Sequence, residues 1–223
     1  MEIDGIHIER ICHSCFRIRA GGKVIYTDPY QVPDQAEKAD AILITHEHAD
    51  HLSLEDIRKV FRQDTVVVIP PVAHPPLLQF DQDIFNLIVI GPGEKYWGEG
   101  WDVETVPAYN VDKFRSPGKL FHPKEDEHLG YILSIGGKRI YHAGDTDIIP
   151  EMERARGVDI ALLPVSGRFV MTAEEAARAA GIIKPAIAIP MHYGATLGPL
   201  GQVGSEEDAR LFREKSPVRV EIL

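Results

Sequence analysis

The sequence predicts an α/β (α+β) protein that folds as a four-layer αββα sandwich, with two sheets packed between outer layers of helices. Two strand-rich halves carry short apolar runs bounded by Gly, Pro or polar turn residues. Helices with capping residues lie between and after these halves, and the 16 Pro and 19 Gly residues suit many tight connections. No linker, low-complexity tract or tandem repeat interrupts the pattern, so we predict a single domain over residues 1–223.

The composition restricts the classes of partner. A hydrophobic content of 44% with 26% charged residues is ordinary for a soluble globular protein. The net charge of −10 opposes non-specific binding to nucleic acid and to anionic membranes. No apolar run approaches a membrane span, and Met1 is not followed by the basic segment of a signal peptide. We therefore predict a cytoplasmic protein with a small-molecule substrate and neither nucleic acid nor membrane as partner. The oligomeric state stays open, a homo-oligomer included.

Strands dominate the first half of the chain. A Gly-Gly turn joins two of them, and the strand that follows ends at Asp28, just ahead of Pro29. Ser53 is suited to cap a helix over residues 53–62, because acidic residues occupy the first turn. The predicted strands cover residues 6–11, 15–20, 23–27, 39–44, 65–69 and 87–90.

The chain has two cysteines, Cys12 and Cys15, in a C-x-x-C arrangement. This spacing occurs in redox pairs and in half of a zinc site, but no second pair is present to complete a zinc knuckle. The surrounding pattern favours a strand, and residues three apart on one strand point to opposite faces. We therefore predict two reduced structural thiols.

The second half combines strands with two well-marked helices. A hairpin with a Gly-Gly turn ends on the sequence H-A-G-D at residues 142–145, Thr172 opens an alanine-rich helix, and Ser205 opens the last helix. Residues 107–128 form a long irregular loop of the kind that often carries function. The predicted strands cover residues 101–106, 130–135, 138–142, 159–163 and 185–189.

The most informative stretch is T-H-E-H-A-D-H-L-S at residues 45–53, which lies between the carboxyl end of a predicted strand and the start of a helix. His46 and His48 are two extended residues apart and can point the same way, while Asp50 and His51 can serve a neighbouring centre. Imidazole and carboxylate groups bind zinc, manganese and iron without the help of sulfur. The stretch therefore predicts a metal site.

At these residues the chain resembles the metallo-β-lactamase superfamily, whose signature is H-x-H-x-D-H. The resemblance covers nearly the whole chain in the expected order, from Asp28 through the signature to Asp145 and then His192 in I-P-M-H-Y-G. Within the superfamily the chain is most similar to compact metal-dependent hydrolases related to ascorbate-6-phosphate lactonase. The sequences that suggest this branch are C-H-S-C-F at residues 12–16, T-D-P at 27–29 and Y-H-A-G-D at 141–145.

The resemblance implies a centre of two divalent metal ions, with zinc expected and manganese or iron as alternatives. It also implies a metal-bound hydroxide as the nucleophile that attacks the substrate. The expected ligands are His46 and His48 for the first ion, Asp50, His51 and His192 for the second, and Asp145 as the bridge.

The resemblance also implies roles for residues around the metal ligands. Asp50 would orient the nucleophile, and His142 would protonate the leaving group as a general acid. Asp28 would support the metal loop from behind. His13 is a further candidate for metal or substrate contact, and purely structural roles for His13 and His142 stay open.

The chain departs from the family pattern at Asn110, which occupies the place expected for the third histidine of the first metal site. An amide oxygen is a poor zinc ligand, so another residue is needed there. His122 or His128 of the same long loop can complete the site. We favour His122, because its neighbours Phe121 and Pro123 can fix its position.

Four basic residues cluster in the same loop, although the whole chain is acidic. Arg115 and Lys119 are two of them. A solvated surface is one interpretation of this cluster. The other, which we favour, is an anion-binding rim in which Lys113 and Lys124 contact the substrate.

These features predict a metal-dependent hydrolase that acts on a small anionic ester, lactone or phosphoester. Two other functions stay open. A phosphodiesterase or nuclease would use the same metal core, although the acidic charge and the lack of a domain to grip nucleic acid count against it. The departure at Asn110 keeps open a non-catalytic metal-binding or sensor protein.

Overall fold

The structure is a computed structural model that describes residues 1–223. Its first half forms a seven-stranded sheet whose strands follow chain order. Neighbouring strands are antiparallel from the first to the fourth and parallel from the fourth to the seventh. The strands are β1 (Glu2–Ile3), β2 (Ile6–Cys12), β3 (Cys15–Ala20), β4 (Lys23–Thr27), β5 (Ala41–Leu43), β6 (Val66–Ile69) and β7 (Asn86–Val89).

The second half adds the remaining strands, which are β8 (Lys95–Gly98), β9 (Trp101–Pro107), β10 (Phe114–Ser116), β11 (Lys119–Leu120), β12 (Leu129–Ile135), β13 (Lys138–His142), β14 (Ile160–Pro164), β15 (Ile187–Met191), β16 (Ala195–Thr196) and β17 (Gln202–Val203). A six-stranded sheet has the order β15-β14-β13-β12-β9-β8, and β13, β14 and β15 run parallel in it. The pairs β10–β11 and β16–β17 form two short hairpins.

Three of the four helices begin where the sequence places capping residues. Ser53 accepts a hydrogen bond from the backbone of Asp56, while Thr172 and Ser205 form reciprocal capping boxes. No helix is both long enough and apolar enough to cross a membrane. The helices are α1 (Leu54–Val60), α2 (His74–Leu77), α3 (Ala173–Ile183) and α4 (Glu206–Lys215).

Side-chain alternation along the strands separates two apolar cores. In β5, Ile42 packs with α1 and α2, whereas Ala41 and Leu43 belong to the larger core between the two sheets. That larger core continues through the second sheet to buried residues of α3 and α4. The layers are therefore α1 and α2, the first sheet, the second sheet, and α3 and α4. This order confirms the predicted αββα sandwich.

The elements missing from the sequence prediction are short or carry residues that obscure their type. Residues of α2 include two prolines, which favour a helix only in its first turn. The long loop over residues 107–128 contains the β10–β11 hairpin and a 3₁₀ turn at Lys124–Asp126. The strand predicted over residues 39–44 is confined to Ala41–Leu43.

Both cysteines are free thiols, as predicted, but the supporting argument was wrong. Cys12 and Cys15 do not share one strand; they lie opposite each other across the two-residue turn between β2 and β3. Cys15 is fully buried, and burial raises the pKa of its thiol. The Cys12 thiol is half-buried and donates to Gln31 Oε1 at 3.3 Å.

Candidate metal centre

The candidate metal centre lies where the carboxyl ends of parallel strands from the two sheets meet. His46 follows β5, Asp145 follows β13 and His192 follows β15. The backbone N–H of Leu129 donates to the carbonyl of Thr45 at 3.0 Å, which ties the start of β12 to the histidine loop. Both halves of the chain therefore build one site, at the end of the sheets where ligands of α/β proteins commonly bind.

One cluster of donors comes from His46, His48 and His122, whose ring nitrogens lie within 4.8 Å of one another. His46 Nε2 is 3.1 Å from His48 Nδ1. His122 lies in the long loop just before β12, and it is 2% exposed. The structure thus places His122 where the third histidine of the first metal site is predicted. Its role as a ligand stays a prediction.

A second cluster comes from His13, Asp50, His51 and His192. Asp50 Oδ2 lies 3.2 Å from His13 Nε2 and 3.6 Å from His51 Nε2. The rings of His13 and His192 are 4.0 Å apart, and His13 is fully buried. His13 therefore lies among the residues predicted to hold the second ion, with Asp50 as its direct partner.

Asp145 lies between the two clusters. Its Oδ2 is 2.9 Å from His192 Nε2, 3.4 Å from His122 Nε2 and 4.0 Å from His46 Nε2. Its Oδ1 faces His51 Nε2 at 3.4 Å. Burial opposes ionisation, but His192 and His51 hold the pKa of Asp145 well below its ordinary value. The position and the charge both suit a bridging carboxylate.

Four of the histidines are held in one orientation, because a neighbouring side chain is hydrogen-bonded to the Nδ1 atom of each. A hydrogen bond at Nδ1 selects the tautomer whose Nε2 lone pair is free, and it holds the ring in place. In each case Nε2 faces the interior of the cluster. The pairs are His46 with Thr45 Oγ1 (2.9 Å), His51 with Asp28 Oδ2 (2.7 Å), His122 with Asn110 Oδ1 (3.0 Å) and His192 with Ser166 Oγ (2.8 Å).

The donors fit divalent metal ions. His51 Nε2 and Asp145 Oδ1 face each other at 3.4 Å but form no hydrogen bond, which is unusual for buried polar atoms unless an ion or water completes them. Burial lowers the pKa of His122 to about 3 and lowers that of His46 as well, so their Nε2 atoms keep a free lone pair. A set of nitrogen and carboxylate donors without sulfur suits zinc, manganese or iron.

Asn110 makes no direct contribution to the donor clusters and instead holds His122. Asn110 Oδ1 accepts from the backbone N–H of His122 at 2.9 Å and from its Nδ1 at 3.0 Å. Asn110 Nδ2 donates to the carbonyl of Phe169 at 2.9 Å. The residue at the expected ligand position therefore positions the histidine that is predicted to stand in for it.

His128 lies beside the first cluster and pairs with Glu47. Its ring stacks on His46 at 4.8 Å, but its Nε2 is directed to Glu47 Oε2 at 3.1 Å. Burial opposes ionisation of Glu47, yet the contact with His128 lowers the pKa of Glu47 to about 2. Sequence reasoning missed this contact, although Glu47 stands between the two histidines of the signature.

The structure places His142 away from the cavity, which corrects the predicted general-acid role. His142 Nε2 donates to the carbonyl of Ser14 at 3.0 Å, and its Nδ1 accepts from the backbone N–H of Gly144 at 3.2 Å. Both ring nitrogens are thus occupied by backbone groups. His142 is 2% exposed and holds the turn that leads to Asp145.

Asp28 lies behind the metal loop, at the position where it is predicted to support that loop. Its two carboxylate oxygens accept hydrogen bonds from the backbone N–H and the side-chain hydroxyl of Thr45.

The predicted substrate contacts of Lys113 and Lys124 are also corrected. Lys113 Nζ lies against Asp112, Asp147 and Glu175, and these carboxylates neutralise it. Lys124 Nζ binds Glu151 at 2.7 Å. Neither lysine lines the cavity beside the metal centre.

A cavity of about 690 Å³ opens over the clustered donors. Two arginines line it, Arg115 and Arg168, and neither forms an ion pair with a carboxylate. Sequence reasoning grouped Arg115 with the basic loop and overlooked Arg168. It also overlooked Ser166, which no motif marks, and gave no role to Thr45, the first residue of the histidine stretch. The lining residues at the base of the cavity are His48, Asp50, His122, Asp145 and His192.

The fold and the donor clusters define an αββα protein with a candidate binuclear metal site. The model of the β-lactamase superfamily domain matches residues 7–192. A UPF0173 protein of Pyrococcus abyssi is 37% identical over 185 residues, which cover 82% of this chain and 80% of the relative. A UPF0173 metal-dependent hydrolase of Thermoplasma acidophilum is 33% identical over 81% of this chain and 80% of its own. The chain therefore belongs to the β-lactamase superfamily and, within it, to the UPF0173 proteins.

Solved structures agree with this assignment. A crystal structure from Parabacteroides distasonis, described as that of a metal-dependent hydrolase, has a TM-score of 0.81 and 32% identity, and covers 97% of this chain and 92% of its own. The metallo hydrolase Igni18 of Ignicoccus hospitalis has a TM-score of 0.73 at 24% identity, and covers 98% of this chain and 94% of its own. At that identity the second likeness shows the fold alone. The narrower resemblance to ascorbate-6-phosphate lactonase stays a prediction.

Proposed function

We propose that this protein, a metal-dependent hydrolase like the relatives that carry that name, acts on a small anionic ester, lactone or phosphoester. One observation carries the proposal. At the base of an open cavity, imidazoles held through Nδ1 direct their Nε2 atoms toward the ionised carboxylate of Asp145. An oriented donor set that faces open space suits catalysis, because a structural metal site is normally closed by its ligands.

The ligand assignment follows from the two clusters. His46, His48 and His122 would hold one ion, and Asp50, His51 and His192 the other, with Asp145 between them. Zinc is the first choice, and manganese or iron would accept the same donors. Bound there, the ions would supply Lewis acidity toward a carbonyl or phosphoryl oxygen and a nucleophile at neutral pH.

The chain's own residues would orient the reactants. Burial opposes ionisation of Asp50, but His51 and His13 hold its pKa well below the ordinary value, so Asp50 is a carboxylate at neutral pH. Asp50 lines the cavity, and its Oδ2 is fixed by His13 Nε2 at 3.2 Å. It can therefore accept a hydrogen bond from the attacking water and hold that water in line with the substrate. Arg115 and Arg168 would attract the negative charge of the substrate.

The test combines metal analysis with turnover. Protein as purified, and protein supplied with zinc, manganese or iron, is assayed for metal content and for hydrolysis of 4-nitrophenyl esters, lactones and phosphoesters. We expect chelation to abolish turnover and the matching metal to restore it. Asp145→Asn should lower kcat by about 100-fold or more, as loss of a metal-bridging charge implies, whereas the exposed control Asp83→Asn should not.

Two results would contradict the proposal. One is stoichiometric metal binding without hydrolysis of any of these substrates, which would favour a non-catalytic metal-binding protein. The other is turnover that survives both chelation and Asp145→Asn, which would place the activity elsewhere.

A further inference from the structure

The cavity over the metal centre has two chemically different regions. Its base is polar and buried, with Asp145 and His192 at most 2% exposed. Its outer wall is apolar, and Leu200 there is 48% exposed. The apolar lining residues of this wall are Phe121, Phe169, Leu197, Pro199 and Leu200. A ligand that fills the cavity must therefore satisfy polar groups at one end and cover apolar surface beyond it.

Two phenylalanines connect the base to the outer wall. Phe121 directly precedes His122, and its ring meets that of Phe169 edge to face at 4.8 Å. The Phe169 ring lies 6.5 Å from the His192 ring. The aromatic pair therefore begins beside the candidate metal ligands and extends away from them, and such a pair offers a rigid apolar surface to a ligand.

A guanidinium group packs on the same aromatic pair. Arg168 Cζ is 4.8 Å from the centre of the Phe169 ring, and its Nη1 donates to the carbonyl of Leu200 at 3.0 Å. The ring of Phe169 thus has both Arg168 and His192 as neighbours. Arg115, on β10, lines the cavity from another direction.

Neither guanidinium is neutralised. The ion pairs of the chain involve most of its other arginines, yet none includes Arg115 or Arg168. In a chain with a net charge of −10, the cavity therefore presents two positive charges that are not held in ion pairs. Guanidinium groups bind carboxylate and phosphate with paired hydrogen bonds, so this end of the cavity is suited to an anion.

We infer that the substrate is an amphiphile: an ester or lactone with an apolar body that packs on Phe121 and Phe169, and a distal carboxylate or phosphate bound by Arg115 and Arg168. The inference rests on the proposed hydrolase function and specifies the substrate of that same site. The distal anion is separate from the bond that is cleaved, because the carbonyl of Leu200 holds Arg168 at the outer wall, whereas the candidate metal ligands lie at the base. In the reaction, the oxygen of water bonds to the acyl carbon, the acyl C–O bond breaks, and a proton passes to the departing alkoxide.

The turnover test compares substrates that differ only at the distal group. The substrates are the mono-4-nitrophenyl esters of succinic, adipic and suberic acids and the neutral methyl ester of the suberate compound. We expect kcat/KM to rise with chain length, and the anionic suberate to exceed its neutral methyl ester by about tenfold or more, since charge-assisted hydrogen bonds are worth about 1.5–3 kcal/mol. Equal rates for the charged and the neutral ester would overturn the inference.

Variants test whether the two arginines cause the preference for the anionic ester. Arg115→Gln and Arg168→Gln should each lower kcat/KM for the anionic suberate more than for its neutral methyl ester, so that the ratio of the two values falls. Phe169→Leu should lower kcat/KM for both. Arg213→Gln is the matched control, because Arg213 is an exposed arginine of α4 without an ion pair. A preference for the anion that survives both arginine variants would refute the assigned binding residues.

A binding assay separates this inference from the proposed function. Calorimetric titration with 4-phenylbutanoate, 4-phenylbutyl phosphate and neutral 4-phenylbutanamide requires no turnover. We expect the two anions to bind about tenfold or more tightly than the amide, as the same charge-assisted bonds imply, and the arginine variants to remove the difference. The anion that binds more tightly shows whether the site prefers carboxylate or phosphate. If the anions bind more tightly than the amide but no ester is hydrolysed, only the proposed function is contradicted. If esters are hydrolysed but the acid and the amide bind equally well, only the inference of an amphiphilic substrate is contradicted.

Discussion

Replacement of Asn110 by alanine tests most directly how the first metal site is built. In the structure Asn110 is 2% exposed and makes three side-chain hydrogen bonds, two to His122 and one to Phe169. Asn110→Ala leaves the backbone N–H and Nδ1 of His122 and the carbonyl of Phe169 without these partners. Each buried unpaired group costs about 1–3 kcal/mol, so we expect the free energy of unfolding to fall by about 3 kcal/mol or more.

The same change should weaken metal binding. Loss of a hydrogen bond that orients a ligand typically costs about 10–100-fold in metal affinity, or about 1.4–2.7 kcal/mol. We expect that loss at one of two sites, measured by zinc titration against a competing chelator. Asn110→Asp keeps an oxygen for His122 and should retain most of the affinity. Val111→Ala, an exposed neighbour in the same loop, is the control for general damage.

The structure also predicts the effect of Asn110→His, the change that would restore the third histidine of the family pattern. Because His122 already lies with His46 and His48, a ring at position 110 removes its support instead of adding a ligand. Unchanged zinc affinity in Asn110→Ala, or tighter binding in Asn110→His, would refute the positioning role.

Three further predictions address other parts of the site. His122→Ala should lower metal content by one ion per chain, whereas His128→Ala should retain both, measured by elemental analysis; the opposite pattern would make His128 the ligand. Ser166→Ala should weaken the second site about 10–100-fold in zinc titration, because Ser166 Oγ holds His192 Nδ1 at 2.8 Å. His142→Ala should lower the melting temperature but reduce kcat by less than tenfold, whereas loss of a general acid costs about 100–10,000-fold; a loss in that range would restore the general-acid role.

The sequence was sufficient for the parts of the site that are local. His46, His48, Asp50 and His51 come from one loop, and the spacing alone brings them together. Most strands of the two sheets were also predictable, because they are short apolar runs bounded by turn residues, whereas β1 and β8 were missed. The position of His122 could not be predicted from spacing alone, because it depends on how the long loop folds. Phe121 and Pro123 correctly drew attention to His122, but only the structure shows that Asn110 fixes it.

The wrong expectations depended on long-range contacts. Lys113 was expected to bind substrate because it lies in a basic loop, yet Glu175 from α3, far along the chain, neutralises it. Arg168 had no local signal, because its importance comes from the absence of a carboxylate partner and from its place over Phe169. His142 lies close to Asp145 in sequence, but its Nε2 is turned toward Ser14 in the first half of the chain. Contacts between segments far apart in sequence, which spacing does not reveal, determined the outcome for Lys113 and His142.

Backbone strain gives an argument for function that is independent of any likeness to other proteins. Asp28, His13 and His192 have φ values of 42°, 54° and 58°, in the left-handed region that favours glycine. The backbone N–H of His192 donates to the carbonyl of His13 at 3.1 Å, so two of these residues are directly coupled. Each costs about 1–2 kcal/mol, a substantial sum beside a net stability of about 5–15 kcal/mol. Selection for stability alone would favour glycine or asparagine at these positions; imidazole and carboxylate groups there indicate that chemistry at the centre outweighs the strain.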